Sequence, residues 1–174
     1  ADISGVTWNT TSGKLNITGA GDSEVSFGTD ADGLTDAQLA RITLRGSATT
    51  PTKNSCGKIY IENLGVTTFT NGGGNNLWSN VCNWSAGIPT VSTASVTLEA
   101  DLIVDASVEI AQIELGSGAS ANATVTATNS SILTINGTGV TTPIYNNQAD
   151  LDMNLNLPVV LSSSDVEEVS AAGS

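Results

Sequence analysis

The sequence predicts an all-β fold, with a right-handed parallel β-solenoid in its C-terminal part and a short-stranded β region with one short helix in its N-terminal part. Three observations lead there. Thr, Ser, Asn, Gly, Val and Ala dominate a chain of 174 residues in which only 13% are charged. β-Branched residues set between small turn formers read as many short strands. Apolar pairs at period two recur in the C-terminal half, each beginning about six residues after the last. Each run is too short for a sandwich strand of ordinary length, and the turns between them are short stretches rich in Ala, Asp and Ser.

Residues 1–70 form a strand-rich first region. Val6-Thr7-Trp8, Lys14-Leu15-Asn16-Ile17-Thr18 and Glu24-Val25-Ser26-Phe27 alternate over short runs, with Thr11-Ser12-Gly13 as a hairpin turn. Thr35-Asp36-Ala37-Gln38 fits a capping box, with Thr35 as N-cap and Gln38 reaching back. Asp36 suits the positive end of the helix dipole. Ala37 to Arg41 continue this helix for about two turns. Ile42-Thr43-Leu44 and Lys58-Ile59-Tyr60-Ile61 return to strand.

Asn71-Gly72-Gly73-Gly74-Asn75-Asn76 reads as a hinge, because glycines between asparagines permit positive φ and pack no core. Residues 77–174 then form a tryptophan-capped solenoid. Its inward rows are Val96/Leu98, Leu102/Val104, Val108/Ile110 and Ile113/Leu115, and later Val125, Leu133, Ile135, Leu151, Met153, Leu155, Leu157, Val159 and Leu161. One coil cannot bury its inward row, but stacked coils bury a continuous column. Each fully buried aliphatic side chain contributes roughly 1.5–3 kcal/mol. Alternation alone fits a β-sandwich as well, and that alternative stays open at this point.

Seventeen acidic residues against five basic ones give a net charge of −12. Clustered cations, which displace counterions from a nucleic-acid backbone, are missing, and an anionic bilayer surface would repel the chain. No apolar run approaches the roughly 18 residues that span a bilayer, so membrane insertion is not expected. The absence of His excludes a Ser-His-Asp or Cys-His arrangement within the chain and the usual zinc sites. No catalytic residue is assigned and no cofactor is required. Cys56 and Cys82 are the only thiols. In an oxidising compartment a bridge between them closes a loop of roughly 25 residues, worth about 3 kcal/mol in the chain-entropy model; the alternative is two separate buried thiols.

Few other residues point to chemistry. Trp78 and Trp84 suit either a plug over the open end of the solenoid or a platform for surface glycans, since aromatic faces stack on sugar rings. Asp30, Asp32 and Asp36 form a weak calcium candidate, an acidic glycine-containing loop without the distal Glu of an EF-hand. Asp101, Asp105, Glu109 and Glu114 alternate with apolar residues and read as a solvated outer face.

Two stretches carry a resemblance. Asn75 to Thr90, with Trp78, Asn83, Trp84, Gly87 and Pro89, followed by Ala94-Ser95-Val96-Thr97-Leu98, resembles the lead-in to β-solenoid repeats in large secreted proteins of Gram-negative bacteria. Autotransporter-like adhesins and the multidomain surface proteins of Bacteroidetes are of this kind. Phe27-Gly28 with Gly33-Leu34-Thr35, Gln38-Leu39 and Ile42 resembles the segment that closes a preceding module in such proteins. The resemblance implies a secreted structural or adhesive segment at the bacterial cell surface, spanning a module junction. Its expected partners are neighbouring modules or further copies, joined head to tail into a filament by strand addition. The alternative expectation is a carbohydrate-binding module of a larger secreted protein.

Overall fold

The structure is a computed structural model, and it describes residues 13–18, 25–62 and 65–162. The strand expected at 6–8 and the turn residues Thr11 and Ser12 lie outside the described residues, as do residues 163–174. The chain divides into two compact units, Ala1–Glu62 and Asn63–Ser174. The division thus falls before the glycine-rich stretch at 71–76, which belongs inside the second unit.

In the first unit, β1 (Leu15–Ile17) pairs in parallel with β3 (Ile42–Leu44). An antiparallel sheet orders β2 (Val25–Ser26), β5 (Lys58–Tyr60) and β4 (Thr52–Lys53) as β2-β5-β4. Between the sheets' strands, α1 (Asp36–Leu39) starts as expected. Thr35 Oγ1 accepts from Gln38 N, and Gln38 Oε1 accepts from Thr35 N at 2.8 Å. The helix is shorter than the two turns expected, ending at Leu39 with Ala40 as its C-cap. Leu39 is its one buried residue, so little apolar surface favours extending it. The Phe-Gly…Gly-Leu-Thr motif is structural throughout. Phe27, Leu34, Leu39 and Ile42 share one core with Leu44 and Ile59. A Cβ on Gly33 would lie 1.6 Å from the Phe27 carbonyl oxygen, so no other residue fits that turn.

The second unit is a parallel β-solenoid. Its first strand, β6 (Val66–Phe69), was not singled out from the sequence. Three coils of three strands follow. The first is β7 (Ser95–Leu98), β8 (Leu102–Val104) and β9 (Val108–Ile110). The second is β10 (Gln112–Leu115), β11 (Ala123–Ala127) and β12 (Leu133–Ile135). The third is β13 (Ile144–Asn146), β14 (Met153–Asn156) and β15 (Val159–Leu161). Equivalent strands stack into three parallel sheets, ordered β6-β7-β10-β13, β8-β11-β14 and β9-β12-β15. The sandwich alternative required long antiparallel strands, and these ladders are parallel.

Register places like on like. Phe69 pairs with Leu98 and Leu98 with Leu115; Val96 pairs with Ile113 and Ile113 with Ile144. Val125 lies between Leu102 and Leu155, and Leu133 between Val108 and Val159. Period-two alternation turns these residues to one side of each strand. The inward residues Val96, Leu98, Leu102, Val104, Ile113 and Leu115 are fully buried, as are Val125, Leu133 and Ile135. Val108 on the first coil is partly buried, and so are Ile144, Met153, Leu155 and Val159 on the third, where Leu161 is 46% exposed.

Candidate functional site

The tryptophan-rich lead-in closes the first end of the coil stack. Trp78 and Trp84 are 3% and 1% exposed. They meet edge to face with centroids 4.8 Å apart, and Trp84 meets Phe69 of β6 the same way at 5.1 Å. This is the geometry that ring quadrupoles favour. Trp84 Nε1 donates to the Trp78 carbonyl at 2.7 Å, so the buried N–H is satisfied. Both indoles are buried in the aliphatic column, and neither offers a face to a sugar ring.

The backbone of the same segment covers strand edges. Phe69 and Trp84 form an antiparallel bridge. Thr70 N donates to the Asn83 carbonyl and Ser85 N to the Thr68 carbonyl, at 2.8 and 2.9 Å. Thr68 N in turn donates to Ser85 Oγ, and the buried Thr67 hydroxyl to the Gly87 carbonyl. On the second sheet Leu77 bridges Ile103 in parallel, with Trp78 N donating to the Ile103 carbonyl and Ile103 N to the Asn76 carbonyl. Residues 76–78 and 83–87 therefore occupy the outer edges of β8 and β6. Head-to-tail strand addition at those edges would first require removing this strap.

The Asn71–Asn76 stretch, expected as a hinge, is a turn held by side-chain hydrogen bonds. Asn83, fully buried, holds it together: its Nδ2 donates to the Leu77 carbonyl and to Asn75 Oδ1, and its Oδ1 accepts from Gly73 N at 2.8 Å. Asn75 Oδ1 also accepts from Asn80 Nδ2, and Asn71 Oδ1 accepts from Asn76 N. Gly73 is needed because a Cβ there would sit 2.4 Å from Asn80 Nδ2 and 2.9 Å from Cys82 Cβ. The sequence signal was present in the asparagines, whose side chains bond to nearby backbone in turns.

The four acidic residues do not form one stripe. Asp101 and Asp105 flank β8, Glu109 lies on β9 and Glu114 on β10, on three different sides. Each carboxylate accepts from a neighbouring level of the stack. Asp101 accepts from Thr124 N, Glu109 from Asn136 Nδ2 and Glu114 from Thr97 Oγ1, each at 2.8 Å. Asp105 accepts from both the Ser79 backbone N and its hydroxyl. These carboxylates act as lateral ties between levels.

The calcium candidates have local partners. Asp30 caps a 3-10 turn over Ala31–Gly33 by accepting from Asp32 N at 2.9 Å, and Asp36 pairs with Lys53 Nζ at 3.0 Å. Among the described residues no three acidic or cysteine side chains gather into a metal-sized cluster. Both cysteines, Cys56 and Cys82, are disulfide-bonded, and the chain has no others. In the first unit the buried Asn54 accepts from Cys56 N and Lys58 N through Oδ1. No described helix is long and apolar enough to cross a membrane. Comparison with protein-family models, with curated proteins and with solved structures finds no match for this chain.

Proposed function

We propose that this chain is a structural and adhesive segment of a secreted bacterial cell-surface protein, a scaffold that spaces or displays other modules. The observation that carries the reading is the stack itself. Three successive coils are filled by aliphatic side chains, and the carboxylates of Asp101, Glu109 and Glu114 outside tie neighbouring levels together. Side chains so committed hold backbone ladders in register and resist shear between coils, which is the property a display scaffold needs. The disulfide agrees with an oxidising compartment, where such bonds persist. The net charge of −12 agrees with an exposed, well-solvated position.

The test is surface labelling of intact source cells with an antibody raised against the purified chain. Labelling of unbroken cells, abolished by external protease, is the expected result. Signal that appears only after lysis would remove the surface reading.

A further inference from the structure

The two ends of the coil stack differ. The first end is strapped by its own chain on two of its three sides. At the other end, β13, β14 and β15 are each the last strand of their sheet, and among the described residues their ladders run only to β10, β11 and β12. Soluble proteins protect such edges with charge, proline, bulges or a covering segment. These three strands read Ile-Tyr-Asn, Met-Asn-Leu-Asn and Val-Val-Leu, without one charged residue, glycine or proline. In a chain of net charge −12 that neutrality is local, and it leaves the edge without the repulsion that would keep a second copy away. Tyr145, Val160 and Leu161 are 42%, 45% and 46% exposed there.

We propose that this end is the docking surface for the same end of a second copy, paired about a two-fold axis. A two-fold perpendicular to the stack reverses the direction in which the strands circulate, so facing strands meet antiparallel. With the axis through β14, that strand pairs with β14 of the second copy, and β13 pairs with β15. β13 and β15 match in length, three residues against three, and β14 pairs with its copy about Leu155. Tyr145 then lies opposite Val160 of the second copy, an aromatic and β-branched cross-strand pair. Ile144 lies opposite Leu161 on the inward side, extending the aliphatic column across the junction. Asn154 faces Asn156 across the axis, and amides facing amides can bond in both directions. The acidic corner with Asp150 and Asp152 comes over the neutral corner at Leu157 and Pro158, so those carboxylates do not meet their own copies. A closed pair also accounts for both ends, since the strapped end cannot serve as the acceptor of an open-ended chain.

This inference names the partner of the scaffold proposed above and rests on that reading only for its biological use. The association is measured in solution and is indifferent to where the protein resides, whereas surface labelling is indifferent to association.

The experiment is sedimentation equilibrium of the full chain over a hundredfold range of concentration, with hydrogen exchange at both extremes. The expected result is a monomer–dimer equilibrium, with amide protection rising with concentration at 144–146, 153–156 and 159–161 and nowhere else in the stack. Tyr145→Lys with Val160→Lys places like charges opposite each other twice per pair and should raise the dissociation constant about tenfold or more. Tyr145→Lys with Val160→Glu places opposite charges there and should restore it. Both sites are exposed, and far-UV circular dichroism checks that the coils persist. A monomer at every concentration, as when the end serves only further coils of one polypeptide, overturns the proposal. So do open-ended oligomers, or a Lys–Glu variant that associates no better than the Lys–Lys one.

Discussion

Replacing Trp84 tests whether the tryptophan lead-in closes the stack. The ring is 1% exposed and edge-on to both Phe69 and Trp78, and its N–H donates to the Trp78 carbonyl at 2.7 Å. Truncation of a buried tryptophan costs about 3–5 kcal/mol. Two aromatic contacts of roughly 0.5–1.5 kcal/mol each fall within that sum. The abandoned carbonyl adds about 1 kcal/mol or more if no water reaches it. Trp84→Ala should therefore cost about 5 kcal/mol, and Trp84→Phe, which keeps an aromatic ring but loses the donor, about 2 kcal/mol. The chain holds two compact units, so a single denaturation midpoint would mix them, and hydrogen exchange resolved by segment is the better assay. Each coil contacts only its neighbours, so the loss of protection should be greatest at β6 and β7 and fade toward β13. A uniform loss, or a cost below about 1 kcal/mol for Trp84→Ala, would refute the plug.

Four further outcomes are expected. Gly73→Ala should lower the stability of the second unit by about 2–3 kcal/mol, because its Cβ meets Asn80, Asn83 and Cys82, while Gly74→Ala, with φ +72° but open space, should cost only about 1 kcal/mol; thermal melts that show neither effect would restore a flexible hinge. Asp105→Ala should destabilise by about 0.5–1.5 kcal/mol through the loss of two bonds from Ser79, where a merely solvated acid in so acidic a chain would leave stability unchanged or raise it, and chemical denaturation reads the sign. Burial first, and Glu62 second, push the Tyr60 hydroxyl above its usual pKa of 10.0; the folded first unit then keeps a proton that the unfolded chain loses, so its stability is full below about pH 10, falls as pH rises through the raised value, and loses that dependence in Tyr60→Phe. Thiol titration should find no free sulfhydryl before reduction and two after it, with stability lower by about 3 kcal/mol once the bridge opens.

The strands of the solenoid were legible because period-two pairs mark both the strand and the side it buries. Val96/Leu98 and Ile113/Leu115 could be read without knowing what lay above them. Register was not legible, because the corners differ in length. Ile113 stacks 17 residues beyond Val96, while Ile144 stacks 31 beyond Ile113. For the same reason β6 escaped notice: Thr67 finds Val96 only after the whole tryptophan segment has intervened. Composition likewise could not distinguish glycines that loosen a chain from Gly73, which is there because a Cβ has no room. Trp78 and Trp84 were placed near the end of the stack from their position before the first repeats. Their second task, carrying the backbone that covers β6 and β8, depends on tertiary hydrogen bonds that no local pattern encodes.

The outward columns show how edge and interior are treated differently along one stack. On the first sheet the outward register runs Thr68, Thr97, Glu114, Tyr145; on the third it runs Glu109, Thr134, Val160. Glu114 sits on an inner strand and Glu109 on β9, the strand at the first edge of its sheet, and an adjacent level supplies each with a donor, Thr97 Oγ1 to Glu114 and Asn136 Nδ2 to Glu109. At the last coil no level follows among the described residues, and the outward positions become Tyr145 and Val160. A carboxylate there would have been better solvated than either of those residues and would have guarded the edge against pairing. Placing apolar side chains at the outward sites of an edge strand costs solvation in an isolated chain and is recovered only when another strand covers them. On these two sheets the outward column turns apolar at the last described coil, whereas on the second sheet it runs Ile103, Thr126, Asn156. On the first and third sheets that change agrees with a partner at the last coil, while at the first coil the chain's own lead-in straps two of the three sides.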